Sequence, residues 1–162
     1  MRFGFEQSWR TTVEEVLDLY VDPGFWESLH GLSKTGPPDV LDVSRSGDDV
    51  LVALRYRFVA ELPRDVGRFV DPGNVSWVER TEWHLSTATA DVQFLPDQAS
   101  SLMRATAAVE LSQAGDEALR QVRGDLSVRI PLVGRRVEKA VVEGIGEHLE
   151  EEADAVADRL ES

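Results

Sequence analysis

One acidic residue stands where an apolar side chain is expected, in the middle of an alternating strand. Glu79 and Thr81 interrupt an otherwise apolar face between Trp77 and Trp83. A ligand pocket uses polar groups set in an apolar wall to orient its ligand. The same alternation permits the opposite assignment, with Val78 inward and Glu79 outward, and tryptophans are more often core residues than binding residues.

A second carboxylate, Glu138, lies on the apolar stripe of a predicted helix, seven residues before Ile145. One interpretation is structural: a carboxylate near a helix start is favoured by the helix dipole and would pair with a strand arginine, Arg55 or Arg57. The other is a polar group that orients a ligand in a cavity. Because buried charges are usually kept only when they are paired, we favour the structural pairing.

The three histidines, His30, His84 and His148, fall on separate predicted elements. His148 and Glu152 are four residues apart on a helix, a spacing that can bind a metal, but no third ligand is visible. We interpret them as a solvent-facing pair. No nucleophile elbow, phosphate-binding loop or metalloprotease motif is present. We therefore predict no catalytic residues, no metal site and no cofactor.

Composition restricts the classes of function. The 162 residues carry a net charge of -13, which argues against nucleic acid or an anionic membrane as the main partner. Cysteine is absent, so disulfides and thiolate catalysis are excluded. No apolar run is long enough to span a membrane, and the N-terminus does not resemble a signal peptide. We expect a single domain over 1–162, located in the cytoplasm, and its oligomeric state stays open.

The longest element positions these candidates. A helix is predicted from Pro131 to Leu160, about 45 Å long, since Pro131 suits a first helical position. Its apolar stripe recurs at three- and four-residue steps, at Val137, Val141, Ile145, Leu149, Ala153, Val156 and Leu160. A helix of this length needs one broad apolar surface to lie on.

The rest of the chain reads as that surface. A strand from Phe3 to Trp9 precedes two short helices, which are opened by capping signals at Thr12 and at Asp22-Pro23. A period of two then continues to Ile130. The sequence predicts an α+β fold in which a curved antiparallel sheet of six to seven strands carries two short helices and the long C-terminal helix packs across it.

This pattern resembles the helix-grip fold of the START-like superfamily, also called SRPBCC. The segment GDLSVRIPLVGRRVE, Gly124 to Glu138, resembles the signature of a bacterial family of unknown function within it. The Phe3-to-Trp9 strand and the Asp22-to-Trp26 segment match the same family. The resemblance implies a cavity between sheet and long helix, where members of the superfamily hold lipids, sterols, quinones or polyketides, and some catalyse cyclisation or dehydration.

We predict that the protein binds a small hydrophobic or lipid-like molecule in this cavity. An alternative is an enzyme of the polyketide cyclase or dehydratase type, with Glu138 or Glu79 and an arginine as acid–base groups. Another is a ligand-free module for protein interactions, which would have a cavity too small for any ligand. The predicted ligand contacts are Tyr56, Trp77, Glu79, Trp83, Glu138, Val142, Ile145 and Gly146.

Two further features leave alternatives open. Val66, Phe69 and Val70 lie on a long predicted loop and form either a core plug or a lid over the cavity. Gly144 and Gly146 lie inside the long helix, where glycine is unfavourable. Either they allow close packing, or they leave clearance for a ligand, and we favour clearance at Gly146.

Overall fold

The computed structural model describes residues 1–62, 64–68, 75–98 and 101–162, which form a seven-stranded sheet and four helices. The strands are β1 (Arg2–Trp9), β2 (Asp39–Ser46), β3 (Asp49–Arg57), β4 (Ser76–His84), β5 (Thr89–Pro96), β6 (Met103–Ala114) and β7 (Glu117–Val128). The helices are α1 (Val13–Tyr20), α2 (Pro23–Glu27), α3 (Arg64–Gly67) and α4 (Gly134–Glu161).

The sheet is antiparallel throughout, with the strand order β1-β7-β6-β5-β4-β3-β2. The first strand therefore joins the last, and β1 and β2 form the two edges. Alternation decides which side chains point inward: in β3, Val50, Val52, Leu54 and Tyr56 are buried and their neighbours are less so. The predicted α+β helix-grip arrangement is confirmed.

Side-chain caps begin the two short helices at the predicted places. The hydroxyl of Thr12 accepts a hydrogen bond from the backbone N–H of Glu15 and so begins α1. Asp22 caps α2 in the same way, with Pro23 at the first position. The second helix ends at Glu27, and the buried residues Leu29 and Leu32 follow it in irregular backbone.

The long helix, α4, has 28 residues and begins at Gly134, not at Pro131 as predicted. The reason is Leu132, whose φ of 70° lies in the left-handed region and cannot continue a right-handed helix. Val137, Ala153 and Val156 of the predicted stripe are buried. The helix packs mainly on β7 and β1, at one side of the sheet. Among the described helices, none combines the length and apolar character needed to cross a membrane.

Candidate functional site

A small cavity lies between the inner face of the sheet and α4. Its volume is about 50 Å³, which is room for a few water molecules. Ile145 and Leu149 of α4 form part of its wall. The aromatic part of the lining is Phe3, Tyr20, Trp26, Trp83 and Phe94. The polar part is Glu79, Thr81, Arg120 and Glu152. The cavity is thus mainly apolar, with charged groups in its wall.

The first polar group of the cavity is a buried ion pair between β7 and α4. Arg120 and Glu152 are each 3% exposed, and the Arg120 Nη1 donates to both a Glu152 carboxylate oxygen and the Tyr20 hydroxyl. Its Nε donates to Gln7 Oε1 at 2.8 Å, and its Nη2 donates to the Leu149 carbonyl at 3.3 Å. The guanidinium group of Arg120, on β7, therefore connects β1, α1 and α4 through hydrogen bonds.

Aromatic rings surround the same guanidinium group. The Arg120 Cζ lies 5.5 Å from the Trp9 ring centroid and 5.1 Å from that of Tyr20, within the range of a cation–π interaction. Burial favours the neutral form of Arg120, but the acidic groups of Tyr20 and Glu152 outweigh it and raise its pKa. Burial also raises the pKa of Tyr20 well above its usual 10.0. Arg120 is charged, Tyr20 is neutral, and both are held in place.

Glu79 is the second polar group, and it is arranged differently. Its side chain is half-buried, since part of its surface faces the cavity, and it has no hydrogen-bond or ion-pair partner among the described residues. Burial, reinforced by the negative charge of Glu152, raises its pKa to about 8, while Arg120 acts in the opposite direction. At neutral pH Glu79 is therefore mostly a protonated carboxylic acid, able to donate a hydrogen bond into the cavity.

Three side chains form a layer beside the cavity. Tyr56 is fully buried and stacks on Trp77 with ring centroids 5.8 Å apart, and the ring of His148 meets its edge at 5.2 Å. The Tyr56 hydroxyl and the Trp77 indole N–H are buried and have no hydrogen-bond partner among the residues that the structure describes. Burial raises the pKa of Tyr56 and lowers that of His148, so both are uncharged at neutral pH.

The structure brings some of the predicted ligand contacts together and separates others. Glu79, Trp83 and Ile145 line the cavity, so the inward assignment of Glu79 is right. Tyr56 and Trp77 lie in the layer beside it. Val142 is half-buried on α4 and is not among the lining residues. Contact of any of these side chains with a ligand stays a prediction.

Glu138 lies away from the cavity, and its predicted partners are wrong. Its side chain is 15% exposed, and its Oε2 is 3.5 Å from the Met1 α-amino group. Arg55 instead pairs with Asp97 at 2.9 Å, and Arg57 pairs with Asp39. Glu138 is in the first turn and a half of α4, near the end of β7. Arg55 and Arg57 are on β3, which is separated from β7 in the sheet by β6, β5 and β4.

Gly146 also differs from expectation, because the clearance that we favoured is absent. A Cβ at this position would lie 2.6 Å from the Phe5 ring, so the glycine allows close packing of α4 on β1. It borders an open groove, also lined by Phe5 and Ser33, and not the cavity. A Cβ at Gly144 would meet nothing within 4 Å. The two glycines therefore have different surroundings.

The interpretation of His148 and Glu152 as solvent-facing was wrong, and Arg120 and Tyr20 were missed as site residues. Glu152 is seven residues after Ile145, so the helical period already places it near the apolar stripe. Likewise, Arg120 shares its strand face with Val122 and Leu126, both buried. A buried base and a buried acid on facing elements were the signal of an internal ion pair.

The remaining expectations concern the loop and metals. The Phe69 and Val70 side chains, and that of Val66, lie outside the described residues, so the choice between lid and plug stays a prediction. Within the described ranges, no group of three or more His, Asp or Glu side chains is arranged to hold a metal ion. The half-buried His84 bridges Asp49 and Asp91 on the outer face of the sheet, at 2.9 and 3.2 Å.

Comparison with known proteins bears on the fold. The Zhui aromatase/cyclase of a Streptomyces species superimposes with a TM-score of 0.68 at 12% identity, over 99% of this chain and 93% of that chain. A START superfamily protein from Mycobacterium smegmatis gives 0.62 at 15% identity, over 99% and 97%. Norcoclaurine synthase from Thalictrum flavum gives 0.65 at 14% identity, over 99% and 86%. At these identities the likeness shows the START-like fold alone.

The sequence itself identifies a family. No curated protein matches the sequence. A family model does match, over residues 5–160, which is nearly the whole chain. The chain therefore belongs to the family described as Protein of unknown function (DUF2505), and it has the helix-grip fold of the START-like superfamily.

Proposed function

We propose that this protein binds a small hydrophobic molecule in the cavity between the sheet and α4, with the polar end of the ligand toward Glu79. The observation that carries the proposal is a largely aromatic cavity whose wall contains the carboxyl group of Glu79, which has no partner among the described residues. Buried polar groups are normally satisfied by protein or water. A ligand that brings a polar atom to Glu79 would satisfy this one.

The size of the cavity limits the ligand. Pockets for drug-sized ligands occupy about 300–1,000 Å³, whereas this cavity has about 50 Å³. Only a molecule of a few non-hydrogen atoms fits without rearrangement. A ligand of lipid size would require α4 to move away from the sheet. Because α4 packs mainly on β1 and β7, the other strands would not hold it back.

The proposal is tested by filling the cavity. Ala107 lines the cavity, and its neighbour Ala108 is exposed on the opposite face of β6. We expect Ala107→Leu to abolish binding of the small neutral probe isobutanol, followed by chemical-shift changes in NMR spectra, and Ala108→Leu to bind it as the wild type does. Native mass spectrometry of protein purified from its own host should also show a retained small molecule. Equal probe binding by both variants, with no retained molecule, would contradict the proposal and favour a ligand-free interaction module.

One observation favours a second candidate, an acid–base enzyme of the cyclase or dehydratase type. The Glu79 carboxyl has a pKa of about 8 and faces the same cavity as the charged Arg120. A general acid works best when its pKa is near the operating pH. If a retained molecule is found, Glu79→Gln separates the candidates: an enzyme loses turnover and keeps binding, whereas a binding protein converts nothing in either form.

A further inference from the structure

The outward side of α4 carries a row of charged side chains that plays no part in the cavity. Arg135, Lys139, Glu143, Glu147 and Glu151 follow one another at four-residue steps, which places them on one ridge of the helix. The first four are exposed, and Glu151 is half-buried. The ridge therefore begins with two bases and continues with three acids.

This order of charges is unfavourable within a single chain. Residues four apart on a helix repel each other when they carry the same charge, and each neighbouring pair on the ridge does so except the pair where base changes to acid. Lys34 offsets part of the repulsion, because it pairs with Glu147 at 2.8 Å. Arg135, Lys139 and Glu143 have no ion-pair partner among the described residues. Their charges are available to another molecule.

Apolar surface accompanies both parts of the ridge. Leu132, just before the two bases, has a fully exposed side chain and a left-handed backbone with a φ of 70°. Beside the three acids runs the open groove, and its lining includes Phe5 and Gly146. An exposed leucine next to bases and an apolar groove next to acids are complementary, and both belong to the same chain.

We infer that α4 is the contact surface between two copies of this chain, whose α4 helices pack antiparallel about a two-fold axis level with residue 141. Arg135 then faces Glu147 of the partner subunit, and Lys139 faces the partner's Glu143, because each pair has its midpoint at that residue. A two-fold contact repeats every pair, so four ion pairs form. Leu132 lies toward the partner's groove. The inference concerns the outer side of α4 and is independent of the ligand cavity.

Other partners match only half of the ridge. An anionic membrane or a nucleic acid would attract the bases but would be repelled by the acids that follow on the same helix face. A basic partner would match the acids alone, whereas an antiparallel second copy matches both parts. Each copy has a net charge of -13, but at about 0.15 M salt charges more than about 8 Å apart are largely screened, so the facing pairs outweigh this general repulsion.

Sedimentation velocity of the full chain tests the inference at about 0.15 M NaCl. We expect a monomer–dimer equilibrium with a dissociation constant below about 100 μM. Arg135→Glu combined with Lys139→Glu should weaken the dimer at least about tenfold, because it puts acids opposite acids. The control combines Arg10→Glu with Arg45→Glu, which reverses two exposed arginines elsewhere and changes the net charge equally. Its dissociation constant should stay within about threefold of that of the wild type.

A mixing experiment separates a specific contact from a general effect of charge. Glu143→Lys combined with Glu147→Lys should also weaken self-association, whereas an equal mixture of this variant with the Arg135→Glu, Lys139→Glu variant should form a heterodimer, since every facing pair is then of opposite sign. Leu132→Asn tests the apolar contact without a change of charge and should weaken the wild-type dimer about fivefold or more.

The measurement on the wild type alone can overturn the inference, whatever the variants do. A chain that stays monomeric up to about 300 μM has no such contact. A monomer that co-sediments with phosphatidylglycerol vesicles would overturn it as well, and would assign the bases to a membrane surface. A dimer that both charge reversals leave intact, with no heterodimer on mixing, would place the contact elsewhere on the molecule.

Discussion

The two acids of the cavity wall, Glu152 and Glu79, differ in whether they have a partner. Glu152 is paired with Arg120, which in turn binds Tyr20, Gln7 and the Leu149 carbonyl. Glu79 has no such partner in the described structure, and the Tyr56 hydroxyl is also unpaired. A fully bonded buried network fixes how elements meet, whereas an unpaired group costs stability. The contrast indicates that the Arg120–Glu152 network holds α4 on the sheet and that Glu79 does not contribute to this contact.

The largest expected effect comes from breaking the bonded region. Glu152→Ala leaves the Arg120 charge buried without its acid, and we expect the free energy of unfolding to fall by about 3–5 kcal/mol. Asp154→Ala, on the exposed side of the same helix, is the matched control and should change stability by less than about 0.5 kcal/mol. Urea unfolding at pH 7 measures both. A loss under about 1 kcal/mol for Glu152→Ala would show that the network does not hold the helix.

The next effect concerns the unpaired region and depends on pH. The pKa of Glu79 is raised to about 8 from a usual 4.5. Below pH 4.5 the folded and unfolded states both bind the proton. As pH rises from 4.5 to about 8, the unfolded state loses the proton first, so the stability of the folded state falls over this range. The fall amounts to several kcal/mol, at about 1.4 kcal/mol for each pKa unit.

Glu79→Gln removes this dependence, because an amide does not titrate. We expect the variant to match the wild type near pH 5 and to be the more stable protein at pH 9, as measured by urea unfolding across that range. The difference between the two proteins is the quantity to follow, since His148, with its lowered pKa, contributes in the opposite direction. Parallel curves for the two proteins would mean that Glu79 ionises normally and that the two acids do not differ.

The glycines of α4 give a smaller effect and test how closely the helix lies on β1. Gly146→Ala puts a methyl group into the Phe5 ring, and we expect a loss of about 1 kcal/mol, the low end of the range for overpacking, because Phe5 is only half-buried and can shift. Gly144→Ala meets open space and should add up to about 1 kcal/mol of stability. Thermal unfolding compares the pair. Equal effects would show that α4 does not contact Phe5 as described.

Much of the fold follows from the sequence because its signals are local. Strand alternation, the caps at Thr12 and Asp22, and the helical period each depend on neighbours along the chain, and all were predicted. The start of α4 was misplaced because the left-handed Leu132 overrides the preference of Pro131 for a first helical turn. At this point the path of the chain after β7, and not the local preference of Pro131, decides where the helix begins.

The site was predicted only in part, for a different physical reason. Glu79 and Trp83 were found because a polar residue interrupts an apolar strand face. The Arg120–Glu152 pair joins residues 32 positions apart, and although each falls on the apolar side of its own segment, nothing local to either segment shows that the two meet. The partner of Glu138 was likewise misassigned, because a charge pattern shows that a partner is needed and does not say which element supplies it.

The smallest expected effect is at Glu138, which sharpens the comparison because it is a third carboxylate, intermediate between the other two. It has a partner, the Met1 amino group, but the separation is 3.5 Å and the side chain of Met1 is 33% exposed. Ion pairs near the surface contribute about 0–1 kcal/mol, since water screens them. We therefore expect Glu138→Ala to cost less than about 1 kcal/mol at low salt and less still in 1 M NaCl. Urea unfolding at the two salt concentrations checks this. A loss as large as that of Glu152→Ala would mean that partial exposure does not protect a carboxylate of α4, and that burial does not explain why Glu152 needs Arg120.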